Sequence, residues 1–137
     1  MCGITGIVHP DAGTPNAEPV PHELVRAMTT ALTHRGPDAE GYHRDTGVSL
    51  GHRRLKVIDL AGGAQPMSNP EGTVWVTYNG ENYNHRDLRS ELGSCGRPFR
   101  AVCDTEVLVH GCLDWGIDRL MDGREGRSAS RSGGRRV

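Results

Sequence analysis

The chain has 137 residues and a formal net charge of −1, and this length fits one domain. No apolar run approaches the roughly 20 residues of a membrane span, and the N-terminus lacks a signal-peptide pattern, so we expect a cytoplasmic protein. The cysteines Cys2, Cys95, Cys103 and Cys112 lack metal-type spacing. None of the seven histidines forms a ligand pair, so the sequence predicts no metal site.

The first half of the chain predicts short strands around one helix. Residues 4–8, ITGIV, are typical of a buried strand, and a loop rich in Pro, Asp and Asn follows. Within residues 22–34, the apolar side chains share one helical face, and a Gly-Pro pair shortly afterwards ends the helix. Residues 41–45 and 48–60 predict two strands joined by a turn.

The second half predicts one strand and two helices. A polar loop covers residues 61–72, and residues 73–78, TVWVTY, are strongly β-prone. The sequence NGENYN, residues 79–84, is typical of a turn. Residues 84–93 and 105–116 then predict helices.

The last segment, residues 119–137, differs in composition from the rest. It carries six Arg against two acidic residues and has no apolar periodicity, so we expect it to be disordered. A basic tail can bind nucleic acid, but this one has no aromatic side chains for base stacking, which argues against that partner. Its abrupt start suggests a truncation or a change of reading frame, which the coding DNA would test.

Several short motifs occur in a specific order. They are MCGI (1–4), HRGPDAEG (34–41), GHRRLKVIDL (51–60), GAQPM (63–67), YNGENYN (78–84) and CDTEV (103–107). Together they resemble the N-terminal class II glutamine amidotransferase domain of the glutamine-hydrolysing asparagine synthetases, which are N-terminal-nucleophile hydrolases. The leading Cys-Gly and the NGE sequence also occur in related domains of purine and aminosugar synthesis, whereas RGPD and GAQPM favour the asparagine synthetase type.

The resemblance implies an α+β fold, a four-layer αββα sandwich. It covers residues 2–118, which we interpret as a partial amidotransferase domain. The family continues past Gly116 with a strand run similar to GMFAFA, and the Arg-rich segment stands there instead. We therefore expect a sandwich that is incomplete at its C-terminus.

Cys2 has two interpretations. It is either a small buried residue before a strand or, after removal of Met1, a residue that carries both a thiol and a free α-amine. The resemblance implies the second, with Cys2 as the nucleophile and its own amine as the base. That amine titrates near pH ~7.7–8.0, so a useful neutral fraction is available at neutral pH.

The resemblance also assigns an oxyanion site and a grip on the substrate. Asn79 would donate its side-chain amide and Gly80 its backbone N–H, although Asn-Gly alone is a common hairpin turn. Arg54 matches the arginine that holds the α-carboxylate of glutamine, and its neighbour Arg53 would face the other way on a strand. The alternative for Arg54 is a surface salt bridge.

Three other positions complete the expected pocket. Asp104 matches the carboxylate that binds the α-ammonium of glutamine, and it also suits a helix N-cap. Glu81 is expected to shape the pocket without a catalytic role. Asn82 stands where the family more often has an apolar residue. The HRGPD side chains Arg35 and Asp38 either order a loop over the pocket or end a helix with a local ion pair.

The sequence thus predicts a glutaminase that converts L-glutamine to glutamate and ammonia through a thioester on Cys2. The alternative is an inactive, truncated remnant that at most binds glutamine. No cofactor is expected in this chain, because ATP and Mg²⁺ belong to a synthetase domain that it lacks. That domain, missing or separate, would accept the ammonia, and a homodimer is a further expected assembly.

Overall fold

The computed structural model describes residues 2–56, 63–94, 96, 98–101 and 103–123, and the backbone of residues 126–134. The strands in these ranges are β1 (Gly3–Val8), β2 (Ala39–Asp45), β3 (Val48–Arg54), β4 (Met67–Ser68), β5 (Val74–Asn82) and β6 (Gly126–Gly134). The helices are α1 (His22–Ala31), α2 (His85–Ser94), α3 (Asp104–Trp115) and α4 (Ile117–Asp122).

The strands form two antiparallel sheets. Sheet A has the order β1-β3-β2 and sheet B the order β4-β5-β6. Contacts of β1 with β5 and β6, and of β3 with β5, pack the sheets face to face, while α1 covers β1 and β3 and α3 covers β4 and β5. The layers are therefore helix, sheet, sheet, helix, and the predicted α+β sandwich is confirmed.

Strand alternation explains how β5 serves both layers. Val76 and Tyr78 point towards the helices and pack with Leu108, Val109 and Leu120 in one hydrophobic core cluster. The intervening Thr77 points the other way and contacts sheet A. Residues Thr77, Asn79 and Glu81 consequently share the face of β5 that looks at sheet A.

The predicted turn at residues 79–84 is wrong over most of its length. Strand β5 continues through Asn82, and the turn is confined to residues 83–84. The physical reason is pairing, because Asn79–Asn82 lie opposite residues 126–129 of β6. Such backbone pairing overrides the local turn preference of Asn-Gly.

The predicted disorder of residues 119–137 is also wrong where the structure describes them. Residues 117–122 form α4, whose Leu120 is 1% exposed, and the backbone of residues 126–134 pairs with β5 along its whole length. Backbone hydrogen bonds need no apolar side chains, so the composition of this segment gave no sign of the strand. Residues 124, 125 and 135–137 lie outside the described residues, as do residues 57–60 of the predicted second strand.

Candidate active site

Cys2 lies at the end of sheet A. Gly3 pairs with Arg53, which places Cys2 beside the residues that follow on β3. The backbone N–H of Leu55 donates to Cys2 Sγ at 3.4 Å, and Arg35 Nε donates to the Cys2 carbonyl at 3.3 Å. The Cys2 backbone is thus held by Arg35, and the residue is only partly buried.

The HRGPD segment holds this end of the sheet together. Besides the contact of Arg35 with Cys2, the carbonyl of Gly36 accepts from Arg53 Nε at 3.0 Å. Asp38 Oδ2 accepts from the backbone N–H of Lys56 at 2.8 Å. A Cβ on Gly36 would overlap the backbone of Arg53, which explains the glycine. These contacts tie the segment after α1 to the end of sheet A, and neither an ordered loop over a pocket nor an ion pair between Arg35 and Asp38 is among them.

The adjacent arginines have separate partners, as strand alternation predicts. Arg53 forms an ion pair with Glu40 at 2.7 Å. Arg54, 9% exposed, lines a cavity of about 430 Å³ together with His52 and Gln65. Of these two arginines, Arg54 and not Arg53 lines the cavity.

His52 is a cavity residue that the sequence pattern did not single out. It is 1% exposed, and its Nδ1 lies 3.0 Å from Thr77 Oγ1. Its Nε2 has no partner among the described residues. Burial lowers the pKa of His52 to about 4, and the positive charge of Arg54 adds to this effect. Its position two residues before Arg54, on the same strand face, was the available signal.

Two contacts between the sheets fix the relative direction of β3 and β5. At one end, the ring of His43, which lies on β2 opposite Leu50, stacks on Trp75 with centroids 3.9 Å apart. Further along both strands, His52 contacts Thr77. Strands β3 and β5 therefore run in the same direction.

The backbone N–H of Gly80 lies on the open edge of β5. Tyr78 N donates to Gln65 Oε1 at 2.6 Å and Asn82 N donates to Asp104 Oδ2 at 3.1 Å, so both groups point away from β6. Since these groups alternate along a strand, Gly80 N–H points to the same edge, between them. Gly80 is exposed there, whereas Asn79 is half-buried on the face towards sheet A.

Asp104 does not cap its own helix. The N-cap of α3 is Cys103, without a side-chain hydrogen bond, and Asp104 is the first helical residue. Its carboxylate instead holds the backbone of Asn82, one residue beyond the exposed Glu81.

The structure thus gathers the predicted residues at one end of the sandwich, in two groups. Cys2 and Arg54 belong to sheet A, and Asn79, Gly80 and Asp104 belong to the β5 side. Among the contacts of the described residues there is no hydrogen bond from Cys2 to Asn79. The two groups are connected instead by the hydrogen bond between His52 and Thr77.

Comparison with known proteins places this arrangement in a class. A family model described as a glutamine amidotransferase domain matches residues 1–129. The chain superposes on glutamine phosphoribosylpyrophosphate amidotransferase from Bacillus subtilis with a TM-score of 0.73 and 17% identity, covering 96% of this chain and 35% of that one. The chain therefore shares its fold with part of that amidotransferase.

Relatives in sequence indicate which kind of amidotransferase the chain is similar to. Asparagine synthetase (glutamine-hydrolysing) 1 of Bacillus subtilis strain 168 is 44% identical over 111 residues, which is 80% of this chain and 17% of that protein. Asparagine synthetase (glutamine-hydrolysing) 1 of Arabidopsis thaliana is 38% identical over 125 residues, 90% of this chain and 20% of that protein. The chain belongs to the glutamine amidotransferase domain family, and it spans about a fifth of the length of these relatives.

Two features are absent from the described part of the chain. No helix there is long and apolar enough to cross a membrane. Within the same residues, no group of three or more His, Cys, Asp or Glu side chains is arranged to hold a metal ion.

Proposed function

We propose that this chain hydrolyses the side-chain amide of L-glutamine to glutamate and ammonia, as the glutaminase part of an asparagine synthetase-type amidotransferase. The observation that carries the proposal is the placement of Cys2 and Arg54 at the same end of the sandwich as Asn79, Gly80 and Asp104. The thiol of Cys2 and the guanidinium of Arg54 belong to the end of sheet A, and the carboxylate of Asp104 and the N–H of Gly80 belong to the β5 side.

The first chemical step is acylation of Cys2. Removal of Met1 frees the α-amine, which takes the thiol proton while Sγ attacks the amide carbon of glutamine. The C–N bond then breaks, and the amine returns the proton to the departing ammonia. Water hydrolyses the γ-glutamyl thioester in the second step, releasing glutamate and restoring the thiol. The N–H of Leu55 donates to Sγ and so helps to fix the position of the sulfur atom.

Residues of β5 are proposed to stabilise the oxyanion that forms in each step. The amide of Asn79 and the N–H of Gly80 are the proposed donors, and such a donor is typically worth ~2.7–4 kcal/mol of transition-state stabilisation. Gly80 suits this role because its N–H lies between two edge groups that are already bonded to side chains.

Two charged residues are proposed to read the amino-acid end of glutamine. Arg54 binds the α-carboxylate through its planar fork, which Lys would not reproduce. Asp104 binds the α-ammonium with the carboxylate oxygen not engaged by Asn82. Glu81 is proposed to shape the entrance to the pocket.

The acceptor of the ammonia is proposed to be a synthetase domain, for which ATP and Mg²⁺ are the proposed cofactors. The half-reaction on Cys2 needs neither of them in this chain. The homodimer and the cytoplasmic location stay predictions.

Covalent labelling tests the proposed nucleophile. A glutamine analogue with a diazoketone in place of the amide alkylates a thiolate with loss of N₂, and peptide masses then locate the label. We expect the label on Cys2, with protection by L-glutamine. Cys103 and Cys112, which are also partly buried thiols, serve as internal controls. Equal labelling of all three, without protection, would contradict the proposal.

A further inference from the structure

His52 and Thr77 join the two sheets through a buried hydrogen bond. Their side chains are 1% and 0% exposed, and His52 Nδ1 lies 3.0 Å from Thr77 Oγ1. Because burial keeps the imidazole neutral, this contact is a directional bond between two uncharged groups. A bond of this kind fixes both the distance and the orientation of the strands that carry it.

Each partner lies two residues before a residue of the proposed site. His52 precedes Arg54 on one face of β3, and Thr77 precedes Asn79 on the facing side of β5. Two residues along a strand advance the chain by roughly 6.6–6.8 Å. The bond therefore lies two residues further into the sandwich than Arg54 and Asn79, which are proposed to hold glutamine.

One glutamine molecule must contact β3 and β5 at the same time. In the proposed function, its α-carboxylate binds Arg54 on β3 while its reacting carbonyl binds Asn79 on β5. The separation of β3 from β5 then decides whether both contacts form in one molecule. A misplacement of about 1 Å can reduce a rate on the order of 100-fold.

We propose that His52 and Thr77 are positioning residues for glutamine hydrolysis, because their bond sets the separation of Arg54 from Asn79. This inference rests on the proposed function. The competing role for the ring is a contact from Nε2 to the ligand, since Nε2 has no partner among the described residues and His52 lines the same cavity as Arg54. The two roles use different nitrogens, so they can be separated.

Matched substitutions distinguish the two nitrogens. His52→Asn retains a polar atom near the place of Nδ1 and removes Nε2, whereas His52→Gln retains the outer position and loses the inner one. Thr77→Val removes the hydroxyl at similar shape, and Thr77→Ser retains it. For Thr77→Val and His52→Gln, we expect kcat/KM for L-glutamine to fall about 10- to 100-fold, mainly in kcat. His52→Asn and Thr77→Ser should restore most of that loss.

A second readout separates positioning from a general loss of structure. Iodoacetamide alkylates Cys2 by forming an S–C bond with loss of iodide, and it uses neither Arg54 nor Asn79. We expect its rate with Thr77→Val to match the unsubstituted chain, although hydrolysis of glutamine is slow. A parallel fall in both rates would mean that the substitution merely disorders the site, and it would overturn the inference.

The remaining outcomes are also decisive. If His52→Asn is slow while His52→Gln and Thr77→Val remain fast, Nε2 acts on the ligand and the positioning role is wrong. If Thr77→Val retains full activity, the bond does not set the geometry. An unsubstituted chain no faster than Cys2→Ala would remove the proposed function itself, and the inference with it.

Discussion

At the scale of single residues, the adjacent arginines Arg53 and Arg54 have different surroundings because their side chains point to opposite faces of β3. Arg53 is held by Glu40 and by the carbonyl of Gly36, whereas Arg54 faces the cavity. The contacts of Arg53 hold the sheet to its neighbours, whereas Arg54 is the arginine proposed to bind glutamine. Paired substitutions should therefore have different consequences.

Arg54→Lys retains the charge but loses the bidentate fork, so we expect KM for L-glutamine to rise about 10-fold or more. Arg53→Lys should leave KM unchanged and lower the free energy of unfolding by about 1–2 kcal/mol, because a charge-assisted contact is weakened. Steady-state kinetics and chemical denaturation of both variants measure these effects. A rise in KM for Arg53→Lys alone would reverse the assignment.

The buried side chain of Asn82 lowers the stability of the folded chain. It is 2% exposed, and both polar atoms of its side chain are without partners in the described part of the chain. A buried unpaired amide costs about 1–3 kcal/mol, so Asn82→Leu should raise the free energy of unfolding by a similar amount. Denaturant titration measures it.

Asn69 is the matched control for that substitution. It is 3% exposed, and its amide binds the backbone of Thr73 and Val74 as well as the Glu71 side chain. Asn69→Leu should therefore destabilise the chain. If Asn82→Leu destabilises it equally, the Asn82 amide has a partner or a role that its surroundings do not show.

At the scale of elements, the burial of His52, together with the positive charge of Arg54, makes the contact between the two sheets sensitive to acid. The folded pKa of His52, about 4, lies below its ordinary value of 6.5. The unfolded chain consequently binds more protons between these values, so the stability is fully present above pH 6.5 and is lost as pH falls towards 4. The loss amounts to roughly 3 kcal/mol at 1.36 kcal/mol per pKa unit.

Denaturation at a series of pH values tests this expectation. The free energy of unfolding should decline from pH 6.5 to pH 4 in the unsubstituted chain, and His52→Asn should flatten that part of the decline. An equal slope in both proteins would show that other groups control the acid response.

The segment of residues 63–69 is a second element that shapes the site. Gln65 accepts from Tyr78 N and donates to Thr105 Oγ1, so it connects this segment to β5 and α3. A Cβ on Gly41 would overlap the carbonyl of Gln65. Gly41→Ala should therefore push the segment away from β2, lowering both stability and kcat/KM.

The solvent-facing side of α2 provides the control for a glycine substitution. No atom lies near a Cβ built on Gly93. Gly93→Ala should stabilise the chain by roughly 0.5–1 kcal/mol, since alanine loses less backbone freedom in a helix. Thermal unfolding and steady-state kinetics of the two variants should give opposite results; stabilisation by Gly41→Ala would show that the segment yields easily.

At the scale of the whole molecule, the sequence predicted the strands and helices best where burial dominates. The alternation around Arg54 and the positions of α1 and α3 depend on neighbouring residues, so the local sequence was enough to predict them. The extension of β5 and the presence of β6 depend on pairing between distant segments, which local preference does not contain. The role of His52 depends on the sheet opposite, and it was missed for the same reason.

Pairing with β6 gives the last segment a structural task. Strand β5 loses its partner along Val74–Asn82 if the chain ends at Gly123. We expect the shortened chain to unfold at a lower temperature and to bind a hydrophobic dye, because an edge and a core face become exposed. Unchanged unfolding of the shortened chain would show that β6 contributes nothing to stability.

The most direct test of the central claim is the rate of glutamate release from L-glutamine by the purified chain beside Cys2→Ala, with the intact mass of each recorded. We predict release by the unsubstituted chain only, and a mass that lacks Met1. A chain that lacks Met1 but releases glutamate no faster than Cys2→Ala would contradict the account.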